Sequence, residues 1–287
     1  MCYRDTLTIT DRWILLYLAC ISLVAIIGWT ALANPGFHLA INGFLALSIL
    51  GLARLHAARP LAAFLKIIHQ FYPIPLLIWW YPQATLLRHV FFSADLDVWL
   101  LPVEKFLFRR EWYLFLPAHL PLVIIDFFHL VYFFYYIGLL LFAALAFKQQ
   151  APLVAEYVFV LMGVMLSLQL VIILFPSSGP VFQRSVTLPR RLIFASLMDW
   201  VYQTFDRGGG AFPSIHSAAA WVMNRYSRRF FPRWSWSFDL LLIAILMATV
   251  ICSYHYVIDM VAGVLLGLTM LNPLKRLYAR YPVSHAV

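Results

Sequence analysis

The chain of 287 residues is 63% hydrophobic and only 11% charged, whereas a soluble domain is about 45–50% apolar and roughly 25% charged. This composition excludes an ordinary soluble globule, a disordered chain, a collagen and a coiled coil, and it indicates a protein whose outer surface contacts hydrocarbon. The formal net charge is +9, but the cations lie between apolar runs, so we interpret them as determinants of membrane orientation and not as a nucleic-acid surface.

Eight apolar segments of the chain are candidates for membrane-spanning helices, since a span needs about 20 mostly apolar residues. The candidate spans, in chain order, are 13–31, 36–52, 61–81, 119–147, 153–175, 213–227, 240–254 and 257–271. The last three are short or contain polar groups, and they carry most of the motifs described below. The sequence therefore predicts an all-α fold, a polytopic membrane helix bundle with about eight spans.

The distribution of Lys and Arg predicts the orientation of the bundle, because these residues are more frequent in short cytoplasmic loops. If the N-terminus is inside, the inner segments carry 12 of the 21 Lys and Arg residues and the outer segments carry eight. We therefore predict that both termini are cytoplasmic. We divide the chain into N-terminal membrane helices with an interfacial amphipathic segment, 1–118, and a membrane core that carries the motifs, 119–287.

The first polar motif surrounds the start of the sixth candidate span. Three glycines, 208–210, precede Pro213, Ser214, Ile215 and His216. Proline suits the first turn of a helix, where the following amides lack intrahelical partners and the helix dipole favours an anion. Ser214 adds a hydroxyl donor, and His216 can give or take a proton near neutral pH. The alternative is a capped helix start with a polar first turn and no ligand.

The second motif lies between the seventh and eighth candidate spans. His255 and Asp259 are four residues apart, which places them on one face of a helix and within reach of each other. A carboxylate bound to one ring nitrogen sets the tautomer and leaves the other nitrogen as a nucleophile or base. The alternative is a buried ion pair between spans, although ionisable groups at a membrane helix end are costly and usually functional.

The third motif, 175–184, interrupts the fifth candidate span at its outer end. Its Pro-Ser-Ser-Gly-Pro sequence can be only a turn, but the following Arg184 can also hold a phosphate with two parallel hydrogen bonds. In the predicted orientation all three motifs, 175–184, 211–217 and 252–263, meet at the non-cytoplasmic face. Two histidines, a carboxylate, a helix N-terminus and arginines at one face favour phosphoryl transfer through a phosphohistidine, with no metal or other cofactor.

These motifs resemble those of the type 2 phosphatidic acid phosphatase superfamily of membrane lipid phosphatases and phosphotransferases. Residues 211–217, Ala-Phe-Pro-Ser-Ile-His-Ser, are similar to its second motif, and residues 255–259, His-Tyr-Val-Ile-Asp, to the end of its third. Both versions are most similar to the inositol phosphorylceramide synthase-like branch. The resemblance covers about residues 175–266 and implies a six-helix catalytic core with its site at the non-cytoplasmic face.

The resemblance also implies roles for individual residues. His255 would be the nucleophile that takes the phosphoryl group, Asp259 would orient it, and His216 would be the general acid for the leaving alkoxide. Ser214 and nearby backbone, including Gly210 and Ile215, would hold the phosphoryl oxygens.

Two departures concern the basic residues of the family. Its first motif carries Lys and Arg-Pro, which 176–180 lack, and its third motif carries an arginine where this chain has Thr249. The inositol phosphorylceramide synthase-like branch also lacks the arginine of the third motif. We expect Arg184 and Arg207 to meet the phosphate charge instead.

The sequence thus predicts an integral membrane lipid phosphatase or phosphotransferase acting on a lipid phosphate or phosphodiester, with a lipid or polyol acceptor if it is a transferase. The alternative is a catalytically silent transporter or scaffold with the same fold. Asp126 and His129, three residues apart in the fourth span, give that alternative some support. We interpret them first as a satisfied pair packed between helices. No nucleic-acid partner is expected.

Overall fold

The structure, a computed structural model, describes residues 7–58, 63–188, 190–206 and 208–281. Within these ranges the chain is all-helical, with short 3-10 and π turns and no strand, which confirms the predicted fold class. The helices are α1 Ile9–Ile27, α2 Pro35–Ala58, α3 Ala63–Phe71, α4 Pro73–Leu87, α5 Asp97–Phe108, α6 Trp112–His119, α7 Leu122–Leu174, α8 Arg184–Thr187, α9 Ile193–Val201, α10 Ile215–Phe230, α11 Ser235–Ile251 and α12 Val257–Arg280.

Six helical segments in the described part of the chain are long and apolar enough to cross a membrane. They are Ile9–Ile27, Pro35–Leu55, Leu122–Lys148, Pro152–Leu174, Pro232–Ile251 and Val257–Arg280. Two of the eight predicted spans, the third and the sixth, are not among these six, and the third begins outside the described residues. The third candidate is divided into α3 and α4 at Tyr72, since Pro73 begins a new helix there. The sixth corresponds to α10, whose 16 residues cover only about 24 Å.

The fourth and fifth spans form α7 and join at a sharp kink. Gln150 has non-helical backbone angles, φ −148° and ψ 70°. Pro152 follows closely and cannot donate the hydrogen bond that a continuous helix needs, so the helix is interrupted at this point. In the first half of α7 only 33% of the most apolar stretch is buried, whereas the second half is the central helix of the bundle, with 78% of the corresponding stretch buried.

The bundle surrounds that central segment. The second half of α7, together with α1, α4 and α10, contributes most of the largest core cluster. On the outer helices many large apolar side chains remain exposed, such as Phe44 and Leu47 of α2. An extended apolar surface of this kind is suited to contact with lipid.

Small residues allow α10 and α12 to approach closely. A Cβ atom at Gly263 would lie 2.2 Å from the carbonyl oxygen of Ser214, so no larger residue fits without moving one helix. One turn along α12, Gly267 packs against the backbone of Ala218 in the same way. This is the small-residue packing typical of membrane helix pairs. It brings the start of α10 directly against the start of α12, and therefore brings two of the three motifs together.

Candidate active site

The start of α10 is the first part of the site. Ser214 is the N-cap, and its Oγ accepts a hydrogen bond from the amide of Ser217 at 3.3 Å. The helix therefore begins at Ile215, and the prediction that Pro213 occupies its first turn was wrong by two positions. The Ser214 amide donates to the main-chain oxygen of Asp259 at 3.0 Å. Among the described residues the amides of Ile215 and His216 have no acceptor, so they are the donors still available to an anion.

The turn between α11 and α12 carries His255. The amides of Tyr254 and His255 both donate to the carbonyl oxygen of Thr249, which closes the turn after α11. The His255 Nδ1–H donates to the carbonyl oxygen of Ala211 at 2.9 Å. Because a carbonyl can only accept, this contact assigns the proton to Nδ1 and leaves the lone pair on Nε2.

Asp259 lies beneath that imidazole. Its Oδ2 is 3.7 Å from His255 Nδ1, beyond hydrogen-bonding distance but within reach of an ionic attraction. The same oxygen accepts the Tyr256 amide at 2.8 Å. The sequence therefore indicated the correct proximity of His255 and Asp259, but the hydrogen bond that orients the ring goes to Ala211. No residue pattern revealed this backbone acceptor, because it comes from a loop 44 positions earlier.

His216 faces His255 from the first turn of α10. The two ring centroids are 5.6 Å apart, although the residues lie 39 positions apart in the chain. Tyrosine hydroxyls surround the His216 imidazole: the Tyr136 hydroxyl is 3.0 Å from Nε2, and the Tyr132 hydroxyl is 3.1 Å from Nδ1 and 3.2 Å from Nε2. The ring is only 6% exposed, so these hydroxyls satisfy its nitrogens in place of water.

Two adjoining cavities reach the site. The smaller, of about 10 Å³, is lined by Tyr81, Ser178, Val181, Tyr202, Gly209, Ala211, Tyr254 and His255. The larger, of about 290 Å³, is lined by Val181, Phe182, Arg184, Ser185, Arg191, Asp199, Tyr202, Gln203 and Gly208. The smaller has room for about one water molecule. Val181 and Tyr202 line both cavities, so these two side chains form the wall between them.

Arg184 belongs to the larger cavity and is engaged by internal partners. Its guanidinium donates to Asp199 at 2.7 Å, to His129 Nε2 at 2.9 Å and to the Cys252 carbonyl at 3.0 Å. It also lies over the ring of Tyr254, and the whole residue is only 4% exposed. These contacts connect α7, α9 and the turn before His255. Arg184 thus lies near the site but has few donors left for a phosphate.

The remaining predicted binding residues have different environments. Gly210 has a positive φ of +71° and packs against Thr85 and Ile172. Ile215 is buried in the main core cluster, so only its backbone amide is available to the site. Arg207 lies outside the described residues.

Asp126 and His129 do not form the pair that their spacing predicts. Asp126 accepts the amide of Ala195 at 2.8 Å, near the start of α9. His129 donates through Nδ1 to the Ile125 carbonyl and accepts from Arg184 through Nε2. Both side chains are satisfied, as expected, but by partners from other elements.

Arg88 is a basic residue near the site that the motifs did not identify. Its guanidinium packs against Gly209, where a Cβ atom would lie 2.7 Å from Cζ, and Gly209 in turn lines the small cavity beside His255. The φ of Gly209 is +104°, so only glycine combines this backbone with this close approach. Arg88 Nη1 donates to the Thr85 carbonyl, and Nε lies 3.5 Å from Asp95. Arg88 follows α4, in the segment interpreted from sequence as interfacial.

The comparison with protein families accords with this geometry. A family model described as the PAP2 superfamily matches residues 98–271, which is more than half of the chain. The chain belongs to the PAP2 superfamily. The matched range contains all three motifs and begins within α5. Membership in the PAP2 superfamily, together with the membrane-span-like helices, supports a membrane phosphatase-type fold. No curated protein and no solved structure gives a significant match to the chain.

Proposed function

We propose that this protein is an integral membrane lipid phosphatase or phosphotransferase that works through a phosphohistidine at His255. One observation carries the proposal: the Nδ1–H of His255 is bound to the Ala211 carbonyl, which directs the lone pair on Nε2 away from that contact and makes it available for attack. A nucleophile with its tautomer preset, 5.6 Å from a second imidazole, is the arrangement that a two-step phosphoryl transfer needs.

In the first step, His255 Nε2 attacks the phosphorus atom of a lipid phosphate or phosphodiester. The N–P bond forms as the bond from phosphorus to the leaving lipid oxygen breaks, and protonated His216 gives its proton to that oxygen. The imidazole ring of His255 becomes cationic. Asp259, 3.7 Å from Nδ1, stabilises that charge, and this attraction is stronger in the charged intermediate than in the neutral ground state.

In the second step, an acceptor hydroxyl attacks the phosphoryl group. Neutral His216 takes the proton of the acceptor as its oxygen bonds to phosphorus, and the N–P bond breaks to restore His255. Water as acceptor gives hydrolysis, and a lipid or polyol hydroxyl gives head-group transfer. Both reactions use the same residues. The sequence does not choose between them, although residues 211–217 and the lack of an arginine at Thr249 resemble the inositol phosphorylceramide synthase-like branch.

The charge of the phosphoryl group is met by Arg88 and by the N-terminus of α10. The guanidinium of Arg88 lies against Gly209 at the edge of the small cavity, and the free amides of Ile215 and His216 lie at the positive end of the helix dipole. Arg184, proposed for this role from sequence, acts instead as the link among Asp199, His129 and Cys252.

Substrate binding requires the two cavities to join. The space beside His255, about 10 Å³, does not hold a phosphoryl group, whereas the adjoining cavity of about 290 Å³ approaches the size of a ligand pocket. Movement of Val181 and Tyr202, which separate them, would open a path to Nε2. Closure of the same wall after binding would exclude bulk water during the reaction.

The distribution of charge supports a non-cytoplasmic site and cytoplasmic termini. Arg228 and Arg229 lie at the opposite end of α10 from His216, about 18 Å along the helix axis. They pair with Asp239 and Glu156, and Lys275 of α12 lies beside the same glutamate. An abundance of arginine and lysine at the end away from the site favours a cytoplasmic location for that end.

Purified protein in vesicles, supplied with lipid phosphates and phosphodiesters carrying radiolabelled phosphorus, tests the proposal. Release of inorganic phosphate identifies a phosphatase, and label in a second lipid identifies a transferase. In either case we expect acid-labile label on the wild-type protein and none on His255→Ala, with activity unaffected by a chelator. If no label is transferred or released and His255→Ala behaves like the wild type, the protein is a catalytically silent transporter or scaffold.

A further inference from the structure

Two carboxylates on α5, outside all three motifs, contact the backbone of two of them. Asp97 and Glu104 are seven residues apart, two turns along one face of α5. Glu104 is fully buried (0% exposed), which is unusual for a glutamate and requires that its oxygens be satisfied by hydrogen bonds.

Asp97 binds the loop that follows α7. Its Oδ2 accepts the amide of Ser178 at 2.8 Å, and its Oδ1 accepts the amide of Gly179 at 2.9 Å and the hydroxyl of Ser177 at 3.2 Å. These charge-assisted hydrogen bonds hold the loop at the positive φ of Gly179. The loop is the motif that lacks the basic residues of the family.

The loop held by Asp97 in turn holds the acceptor of His255. The Ser177 carbonyl accepts the amide of Ala211 at 2.9 Å, and the Ala211 carbonyl accepts Nδ1–H of His255 at 2.9 Å. A continuous series of contacts therefore leads from Asp97 through Ser177 and Ala211 to the imidazole. A shift of the loop displaces the carbonyl that sets the His255 tautomer.

Glu104 acts on His255 from the other side. Its Oε1 accepts the amide of Val257 at 3.1 Å, and its Oε2 accepts the amide of Ile258 at 2.8 Å. These are the first two residues of α12, directly after the turn that contains His255. With the Tyr256 amide bound to Asp259, the N-terminus of α12 is occupied by protein carboxylates. It is therefore closed to a substrate anion, in contrast to the N-terminus of α10.

We infer that Asp97 and Glu104 are positioning residues that fix the His255 imidazole, Asp97 through the hydrogen-bond acceptor of the ring and Glu104 through the start of the helix that follows His255. The inference rests on the proposed function for its catalytic consequence. Neither side chain touches the reacting atoms. Their effect is to hold Nε2 in place as the N–P bond forms, and a displacement of about 1 Å at such an atom can lower a rate about 100-fold.

The variants Glu104→Gln and Asp97→Asn test the inference, because each keeps one acceptor oxygen and replaces the other with a donor. We expect kcat to fall about 10- to 100-fold in each, with KM within about twofold of the wild type, and a further fall in Glu104→Ala. Glu111→Gln is the matched control. Glu111 follows α5 closely, but its carboxylate contacts Tyr113 and Lys105. The kcat of this variant should therefore be unchanged.

Nitrogen-15 NMR of the histidine side chains provides a second measurement that does not depend on activity. Wild-type His255 should show the Nδ1–H tautomer, and the Glu104 and Asp97 variants a mixture of tautomers, at temperatures where their thermal unfolding shows a folded protein. An unchanged His255 spectrum and an unchanged kcat per folded molecule in both variants would overturn the inference. If the wild type forms no phosphoenzyme, the proposed function fails, and the NMR comparison still decides whether these carboxylates fix the ring.

Discussion

At the scale of residues, the proposed chemistry depends on backbone groups as much as on side chains. His255 is oriented by the carbonyl of Ala211, and the only free amides at a helix start within the described site belong to Ile215 and His216. Side chains near the site are in turn held by their neighbours. Tyrosine hydroxyls contact His216, and Asp199, His129 and Cys252 bind Arg184. Substitutions should therefore separate residues that react from residues that support them.

Arg88 and Arg184 should show this difference. Arg88→Ala removes a cation beside the phosphoryl site, so we expect KM to rise about tenfold or more with little change in thermal stability. Arg184→Ala leaves buried partners unpaired, so we expect a loss of about 2–3 kcal/mol of stability. Enzyme assays and thermal unfolding in detergent measure both effects. Arg110→Ala, which removes an exposed arginine stacked on Phe115, is the control. A normal KM in Arg88→Ala would show that another cation binds the phosphoryl group.

The tyrosines around His216 allow a closely matched comparison. Tyr132 and Tyr135 both have rings within about 5 Å of the His216 ring, at 4.7 and 5.1 Å. The Tyr132 hydroxyl contacts the imidazole, whereas the buried Tyr135 hydroxyl has no hydrogen-bond partner among the described residues. Tyr132→Phe should slow proton transfer by His216, with kcat down about fivefold to tenfold, which corresponds to about 1 kcal/mol. Tyr135→Phe should leave kcat unchanged. Equal effects in a steady-state assay would show that the hydroxyl contact is unimportant.

At the scale of elements, the site depends on how closely two helices meet. The starts of α10 and α12 carry His216 and Asp259, and Gly263 sets their separation because it leaves no room for a side chain between α12 and the Ser214 carbonyl. The short turn before α12 then places His255 opposite His216. Without that packing, the two motifs would lie on helices that do not share a cavity.

Gly263→Ala should therefore disrupt both stability and activity. The added Cβ would lie 2.2 Å from the Ser214 oxygen, so the helices must separate, at a cost of about 1–3 kcal/mol. We expect a lower unfolding midpoint in detergent and at least a tenfold fall in kcat. Gly138→Ala in α7 is the control, since a Cβ there has no neighbour within 4 Å among the described residues, and alanine favours the helix. A variant at 263 with wild-type stability would show that the helices tolerate a wider separation.

At the scale of the whole molecule, polar contacts hold the segment from Asp95 to the end of α5 against the helix bundle. Asp95 lies beside Arg88 and His89 and accepts the hydroxyl of Ser178. Asp97 and Glu104 follow on α5, so carboxylates from one segment meet the end of α4, the loop after α7 and the start of α12. α5 lies before the predicted boundary at residue 118, yet it is in direct contact with two of the three motifs.

Asp95 gives a pH dependence of stability whose sign can be stated. Burial raises the pKa of Asp95, but the hydrogen bonds from Ser178 and His89 and the charge of Arg88 outweigh it, so the pKa lies below its ordinary value of 3.8. The ionised carboxylate therefore stabilises the folded state above that value, and the contribution is lost as the pH falls through the lowered pKa. Asp95→Asn should reduce stability at pH 7 by about 1 kcal/mol.

Unfolding of Asp95→Asn and wild type at several pH values measures the effect. The difference between them should shrink at a pH below the ordinary pKa of the carboxyl. Asp239→Asn is the control at the other end of the bundle. Its partner Arg228 is 42% exposed in its side chain, so this variant should show little effect at any pH. A difference for Asp95→Asn that does not change with pH would contradict the assignment.

The sequence by itself determined the all-helical class of the protein and the superfamily to which it belongs. Apolar runs of about 20 residues indicate membrane-spanning helices, and the motifs around His216 and His255 indicated the superfamily that the family model then showed. Both signals are local, since each depends on residues close together in the chain. The candidates 61–81 and 213–227 are the two that do not appear as helices long and apolar enough to cross a membrane in the described part of the chain.

Only the tertiary structure decided which groups surround those histidines. The Ala211 carbonyl, Arg88, the tyrosines near His216 and the carboxylates of α5 all come from segments far from the residues they contact. The contacts of Asp126 and Arg184 were reassigned for the same reason. Hydrogen bonds to backbone atoms leave no pattern in the sequence, because every residue has a carbonyl and nearly every residue an amide. Which of them meet depends on helix packing, and here on small residues such as Gly263 that let the helices approach.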